Sequence, residues 1–433
     1  MSLTDKLVDL GQTPSVDLPP RAAALARFSL LDWVVCGRKG IDEPLAGKLR
    51  KLAKREGGTP SASTFGGDRA PARMAALVNG ATSHALDFDD THFAHIGHLS
   101  VGIFPAALAV AEERGKSATE VIEAFLVGAE AAIRLGVALG SDHYNRGFHQ
   151  TATAGAFGAT VAAGRLYDLS ATEMTHALGL CATRASGLKS QFGTMGKPYN
   201  AGIAASNGVE VAQLASMGFT SVQDGVSGPQ GFILTHSIET DPEARWQTPE
   251  QGRFLFEDNK YKLHACCHGT HAMIEALLAA KVDVDQVEAF ALRTSSRWLN
   301  VCNQKSPASG LAVKFSYAWL AGMALRGDAT GDDNLYSDAL VADPFLQSFA
   351  NRVTVEGDAN VTDLQAVGVL TLKSGETVEV SYDLAASLPE DVLRQKLTAK
   401  AVAALGEEGQ KIWECHDKLD GFSARDLGML LTV

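Results

Sequence analysis

The chain is short of positive charge. Its 38 Lys and Arg face 50 Asp and Glu, a formal net charge of −12 over 433 residues. Neutralising a run of phosphates takes concentrated Lys and Arg, so a broad nucleic-acid interface is excluded, whereas a small anion needs only a few inward-facing basic groups. Cysteine is scarce too, at 6, and forms no disulfide scaffold. Cys266 and Cys267 are adjacent, so one helix or strand cannot readily aim both at one ligand; both are expected to be small buried side chains. Long apolar runs are missing, because Glu, Arg, Asp or His interrupts each candidate, and MSLTDKLVDLGQT lacks the apolar stretch of a signal peptide. The expectation is a soluble, cytoplasmic chain with no membrane partner. Charged residues make up only 20% while Gly numbers 42. Such a chain buries much of its surface, and a homodimer is expected.

Several chemical signatures are also missing. Gly193 and Gly196 lie in FGTMGKP, where Pro198 is expected to break the helix that a dinucleotide fingerprint requires. There is no GxxxxGK[ST], HExxH or GxSxG, which removes the phosphate loop, the zincin helix and the nucleophile elbow. No nucleotide cofactor is expected.

Helical composition fills the first 260 or so residues. Pro20 opens a helix that Gly40 stops; 71–86 and 104–113 are further candidates. Ser117 with Glu120, and Ser170 with Glu173, form capping boxes that start helices running to about Leu139 and Ala185. Residues 151–166 and 200–217 are dominated by small side chains that permit close helix approach. Farther on, 270–280 reads as a helix and 284–292 as strand or helix. Ala366–Leu372 and Thr377–Tyr382 flank KSGE as a hairpin. Helix returns at 389–405, and 421–433 closes the chain. The fold expected is mostly α, with a large all-helical domain (1–262 and 396–433) and a smaller α+β lid domain (263–395).

Four stretches carry the chemistry. HALDFDDTHFAHIGH, from His84 to His98, concentrates four of the 12 histidines with three aspartates. His92, His95 and His98 would share a face of a helix, which suits a metal, but Gly97 weakens the helix; acid–base work and a solvated loop remain the other readings. SDHYNRGFHQT, 141–151, reads as a connecting loop. There Tyr144 can exchange a proton, Arg146 can grip a carboxylate and His149 can relay protons, or the three can simply pack the loop. FGTMGKPYNAG, 192–202, places Lys197 before a proline, which biases it toward extended geometry, as a base, a carboxylate-binding cation or a surface lysine. KLHACCHGTHA, 262–272, brings Lys262, His264, His268 and His271, with a helix expected to start after Gly269. His176, His236 and His416 stand alone, with structural or surface roles expected.

These residues also carry a resemblance. RGFHQTATAGAFGATVAAGRLYDLSATEMTHALGLCATRASGL and GTMGKPYNAGIAASNGVEVAQLASMGFT, with LDFDDTH, GHLSVGIFPAALAVAE and CCHGTHAMIEAL, resemble the MmgE/PrpD family over nearly the whole chain. The resemblance implies a helical domain and an α+β lid with the active site between them, a dimer, and no metal or organic cofactor. It implies a small di- or polycarboxylate substrate. Site residues follow from it. The DFDDT block falls on Asp87–Thr91; its following histidine falls on His98, with His95 the alternative. The other matches are His149, Lys197 and Lys262. A later histidine of the decarboxylases falls on or beside Cys267, with His268 a substitute, and Asn200 stands where relatives often have histidine. Both departures point away from decarboxylation. The activity expected is epimerisation of iminodisuccinate by two-base proton transfer, with Tyr144 and Lys197 as the pair and His98 and His149 assisting catalysis. Asp87, Thr91, Arg146, Asn200, Lys262 and His268 are expected to bind substrate. A 2-methylcitrate or related hydroxy-polycarboxylate dehydratase is the alternative, and a non-catalytic ligand-binding relative the third reading.

Overall fold

The computed structural model describes residues 1–238 and 241–432. The chain forms two compact units, Met1–Tyr261 with Gln410–Val433, and Lys262–Gly409. In the first lie α1 (Leu3–Gly11), α2 (Pro20–Lys39), α3 (Pro44–Glu56), α4 (Ala72–Ser83), α5 (Ser100–Arg114), α6 (Ala118–Asn145), α7 (Thr153–Leu166), α8 (Ala171–Arg184) and α9 (Gly196–Ser216). A short hairpin, β1 (Ala62–Thr64) and β2 (Gly67–Ala70), departs from the all-helical expectation. Both capping boxes form: the Ser117 and Ser170 hydroxyls accept from the Glu120 and Glu173 amides, and each glutamate accepts its serine's amide at 2.8 Å. Trp33, Phe65, Phe104 and Phe125 are wholly buried, with Phe104 stacked on Phe125 at 3.6 Å between ring centroids. Among the described residues no helix is long and apolar enough to cross a membrane.

Small residues set the spacing of the inner helices. A Cβ on Gly128 would lie 2.5 Å from the Gly158 carbonyl oxygen, so α6 and α7 touch backbone to backbone. Gly80 and Gly202 do the same for α4 and α9, where a Cβ on Gly80 would lie 2.9 Å from the Gly202 Cα. These approaches close only without side chains, and they gather the C-terminal end of α4 with the N-terminal ends of α7 and α9.

Three local expectations change. α6 does not stop near Leu139 but kinks at Gly140, whose φ of 71° and ψ of 178° suit glycine, and continues to Asn145. α5 starts at Ser100 instead of Phe104, because a buried carboxylate caps its first amide there. The closing helix is confined to Ala424–Met429, and Val433 lies outside the described residues.

The second unit holds α12 (His271–Ala280), numbered after the short α10 (Phe232–His236) and α11 (Pro242–Arg245) of the first unit, with a four-stranded mixed sheet. The strand order is β4 (Val353–Gly357), β3 (Val287–Thr294), β5 (Gln365–Leu372), β6 (Thr377–Asp383). The 284–292 segment is therefore mostly strand. β5 and β6 pair antiparallel across the expected KSGE turn, with Thr371 opposite Thr377. Helix Glu390–Leu405 follows.

Candidate active site

The residues from His84 to Leu99 form an irregular loop between α4 and α5, held at both ends and in the middle. Asp90 is buried and accepts the Ser100 amide at 3.1 Å, the Ser100 hydroxyl at 2.7 Å and the Asn259 amide nitrogen at 2.7 Å. It thus serves as the N-terminal cap of α5. Burial, with Asp89 close by, raises its pKa above the usual carboxylate value. Thr91 exchanges backbone hydrogen bonds with Lys260, at 2.7 and 2.9 Å. The His92 amide meets the Gly97 carbonyl at 2.9 Å, a tight turn that places Ile96 at φ 55°.

This turn decides the histidine roles. His92 Nδ1 accepts the His95 amide at 3.2 Å and its Nε2 lies 2.9 Å from the Leu255 carbonyl, so backbone engages both nitrogens. His95 is wholly buried, its pKa lowered to about 3, chiefly by desolvation. His92, His95 and His98 do not share a helical face, and the metal set suggested by their spacing does not form. A different set comes together. Donor atoms of His84, Asp87, Asp89 and His98 all lie within 4.8 Å of one another, close enough to hold an ion. Lys197 Nζ already stands 2.7 Å from Asp87 Oδ1. A divalent ion on that oxygen would have to displace the ammonium.

The charged groups form a string. Lys197 pairs with Asp87 Oδ1, and the same oxygen lies 3.3 Å from His98 Nε2. His98 Nδ1 lies 2.8 Å from Asp89 Oδ2, off the ideal hydrogen-bond line. Asp89 Oδ1 is hydrogen-bonded to His84 Nδ1 at 2.8 Å. Burial pushes the Asp89 carboxyl up, but the two imidazoles outweigh it and hold the group well below its ordinary value. His84 is lowered to about 4, first by burial. Carboxylates only accept, so any hydrogen bond along this string is donated by an imidazole or by the ammonium.

His149, just ahead of α7, is buried and held well below its usual pKa by desolvation, then by the charges of His84, Lys197 and His98. The Asn200 amide nitrogen lies 3.3 Å from the Leu188 carbonyl, which can only accept; this fixes the amide's orientation. The same nitrogen donates to His149 Nδ1 at 3.2 Å, so the neutral ring carries its proton on Nε2. Phe192 packs edge-on to His149, with centroids 5.0 Å apart, and lies 5.5 Å under Lys197 Nζ. The His98 amide donates to Thr151 Oγ1 at 3.0 Å. The ends of α4, α5, α7 and α9 therefore meet, and three of them are N-termini, which favour an anion.

The expected residues fall as follows. Asp87, His98, His149, Lys197 and Asn200 come together. Lys197 is helical, not extended, since Pro198 is the third residue of α9, where no intrahelical donor is needed. Tyr144 sits half-buried in the last turn of α6, with Lys189 Nζ 3.5 Å from its ring centroid. Arg146 is exposed, and its charge bears on His143 and His236. Thr91 contributes backbone bridging, its hydroxyl buried without a hydrogen-bond partner among the described residues. Lys262 and His268 are buried in the second unit. There His268 lies 4.6 Å from His271 between ring centroids, and His264 Nδ1 meets Thr330 Oγ1 at 2.8 Å. Glu275, paired with Lys396 at 2.7 Å, is held at about 2: burial opposes this, and His264 and Lys396 prevail. Asp89 enters the sequence reading only within the Asp87–Thr91 block, and His84 only in a support or loop role. The signal available was the double aspartate inside DFDDT.

Comparison with known proteins agrees along the chain. Residues 11–245 match the MmgE/PrpD N-terminal domain and 264–420 the C-terminal domain. Cis-aconitate decarboxylase of Aspergillus terreus is 28% identical over 335 residues, covering 71% of this chain and 68% of that protein. The cis-aconitate decarboxylase-like protein oryM of Aspergillus oryzae is 30% identical over 277 residues, 60% of this chain and 58% of its own. Human cis-aconitate decarboxylase is 26% identical over 336 residues, covering 71% and 67%.

Proposed function

The chain belongs to the MmgE/PrpD family, and from that membership we propose that it is a cofactor-independent lyase of small di- or tricarboxylates. The observation that carries the reading is the string Lys197–Asp87–His98–Asp89–His84, with a neutral His149 beside it. Lys197 and the helix N-termini hold a substrate carboxylate. His149 offers its Nε2–H to the oxygen that gains charge as an enolate forms. In a decarboxylation the bond to the departing carboxylate breaks, carbon dioxide leaves, its electron pair enters the enolate, and His98 protonates carbon. In a dehydration a base takes the C–H proton and the hydroxyl leaves with a proton from His98. The relatives named as cis-aconitate decarboxylases support lyase chemistry. By resemblance a histidine of those enzymes falls on or beside Cys267, with His268 a substitute, and this departure favours a carboxylate other than cis-aconitate. The same reading has the protein work in the cytoplasm as a homodimer.

The test incubates the full chain with cis-aconitate, 2-methylcitrate and iminodisuccinate in heavy water. Release of carbon dioxide or a new ultraviolet-absorbing alkene, cut at least about 100-fold by Lys197→Met, supports the lyase. No product from any of the three defeats it. A second reading is epimerisation of iminodisuccinate, favoured by the Lys189 cation seated over the Tyr144 ring. Deuterium at the carbon beside nitrogen, without loss of mass and abolished by Tyr144→Phe, would select it.

A further inference from the structure

We infer that Asp89 and His84 form a positioning pair that orients His98 and fixes which of its nitrogens bears a proton toward Asp87. The inference rests on the reading of His98 as the proton donor.

Asp89 is wholly buried, and each of its oxygens faces a different imidazole at 2.8 Å. A carboxylate so placed keeps a proton on His98 Nδ1 and turns Nε2 toward Asp87, 3.3 Å away, and so toward Lys197. His84 does two things. It donates to the second oxygen of Asp89, stopping that carboxylate from rotating. Its ring also stands edge-on to His98, with centroids 4.6 Å apart at 61°, and roughly parallel to His149 at 6.2 Å. His84 is 1% exposed, and among the described residues its Nε2 has no hydrogen-bond partner. Its Nδ1 is committed to Asp89, so its part is to hold its neighbours.

Three variants and one spectrum test the pair. Asp89→Asn keeps the shape but turns a donor toward one of the imidazoles. It is expected to lower kcat about 100-fold or more with KM changed less than about threefold. His84→Leu keeps most of the volume and loses the donor, with kcat down at least about tenfold. His84→Asn restores a donor near Nδ1 and recovers most of that loss. Long-range proton–nitrogen spectra of the imidazole-labelled chain, with His98 assigned by His98→Asn, read the ring directly. Nδ1 is expected protonated in the parent and changed in Asp89→Asn. Unchanged kcat in Asp89→Asn, an unmoved His98 signal, or equal kcat in His84→Leu and His84→Asn would each overturn the inference. Should Asp89→Asn fail to fold, the two His84 variants and their spectra still decide it. Should the parent turn over none of the three carboxylates, the lyase reading fails while the spectra continue to judge the positioning pair.

Discussion

Acidification strikes this protein through its buried imidazoles. In the helical unit His84, His92 and His143 are lowered to about 4, His95 to about 3, and His149 well below the ordinary value, with burial the largest cause for each. Unfolding returns each ring to about 6.5, so below that pH the unfolded chain takes up protons that the native chain refuses. Stability is therefore full above about pH 7 and falls as the pH drops, and the loss continues until each native value is reached. Between pH 7.5 and 5.5 one such ring costs on the order of 1 kcal/mol, and the five together several kcal/mol. Asp90 and Glu130, both raised by burial, act in the opposite direction and offset part of the loss. A loss of several kcal/mol is a large part of the 5–15 kcal/mol typical of a native protein. Urea unfolding of the full chain, followed by far-ultraviolet circular dichroism at constant ionic strength, reads the effect. The midpoint is expected to fall steadily from pH 7.5 to 5.5, and His143→Gln to flatten the slope over that range by about half a proton, less than about 1 kcal/mol per pH unit. A midpoint that is level or higher at pH 5.5 would refute the reasoning.

Asn200→Asp puts an acceptor against His149 Nδ1, drawing the proton there and away from Nε2. Turnover is expected to fall about 10–100-fold with little change in melting temperature. Gly202→Ala drives a Cβ into the Leu77 carbonyl oxygen and is expected to destabilise by about 1–3 kcal/mol in urea titrations, with activity falling as α4 and α9 part. Prolonged dialysis against a strong chelator is expected to leave turnover unchanged. A loss restored by added zinc or magnesium would instead assign His84, Asp87, Asp89 and His98 to an ion.

What was legible in the sequence was local. Ser117 with Glu120 and Ser170 with Glu173 announce their helices because a capping box needs only four consecutive residues. The β5–β6 hairpin was readable for the same reason. The start of α9 was misjudged because the rule for a residue before proline was applied without asking where in a helix the proline falls. The string through Asp89 is another matter. His84, His98, His149 and Lys197 come from three stretches far apart in the chain, and no periodicity records that the glycine contacts of α4 with α9 bring them together. Family resemblance supplied most of those members. It carried Asp89 only as one member of the DFDDT block, without saying which carboxylate faces His98, and spacing alone pointed to the wrong trio of histidines.

Asp87 has one more consequence. Its carboxylate already occupies the Lys197 ammonium, so any incoming carboxylate meets an internal competitor tethered at high effective concentration. Swapping one carboxylate for another on the same cation gains little, and a monocarboxylate is left with almost no net affinity. Only a ligand whose second or third carboxylate finds further donors gains enough to evict Asp87. Selectivity for polyacids would then arise from the self-inhibition of a single side chain, and shortening it by Asp87→Ala would let simple monoacids compete.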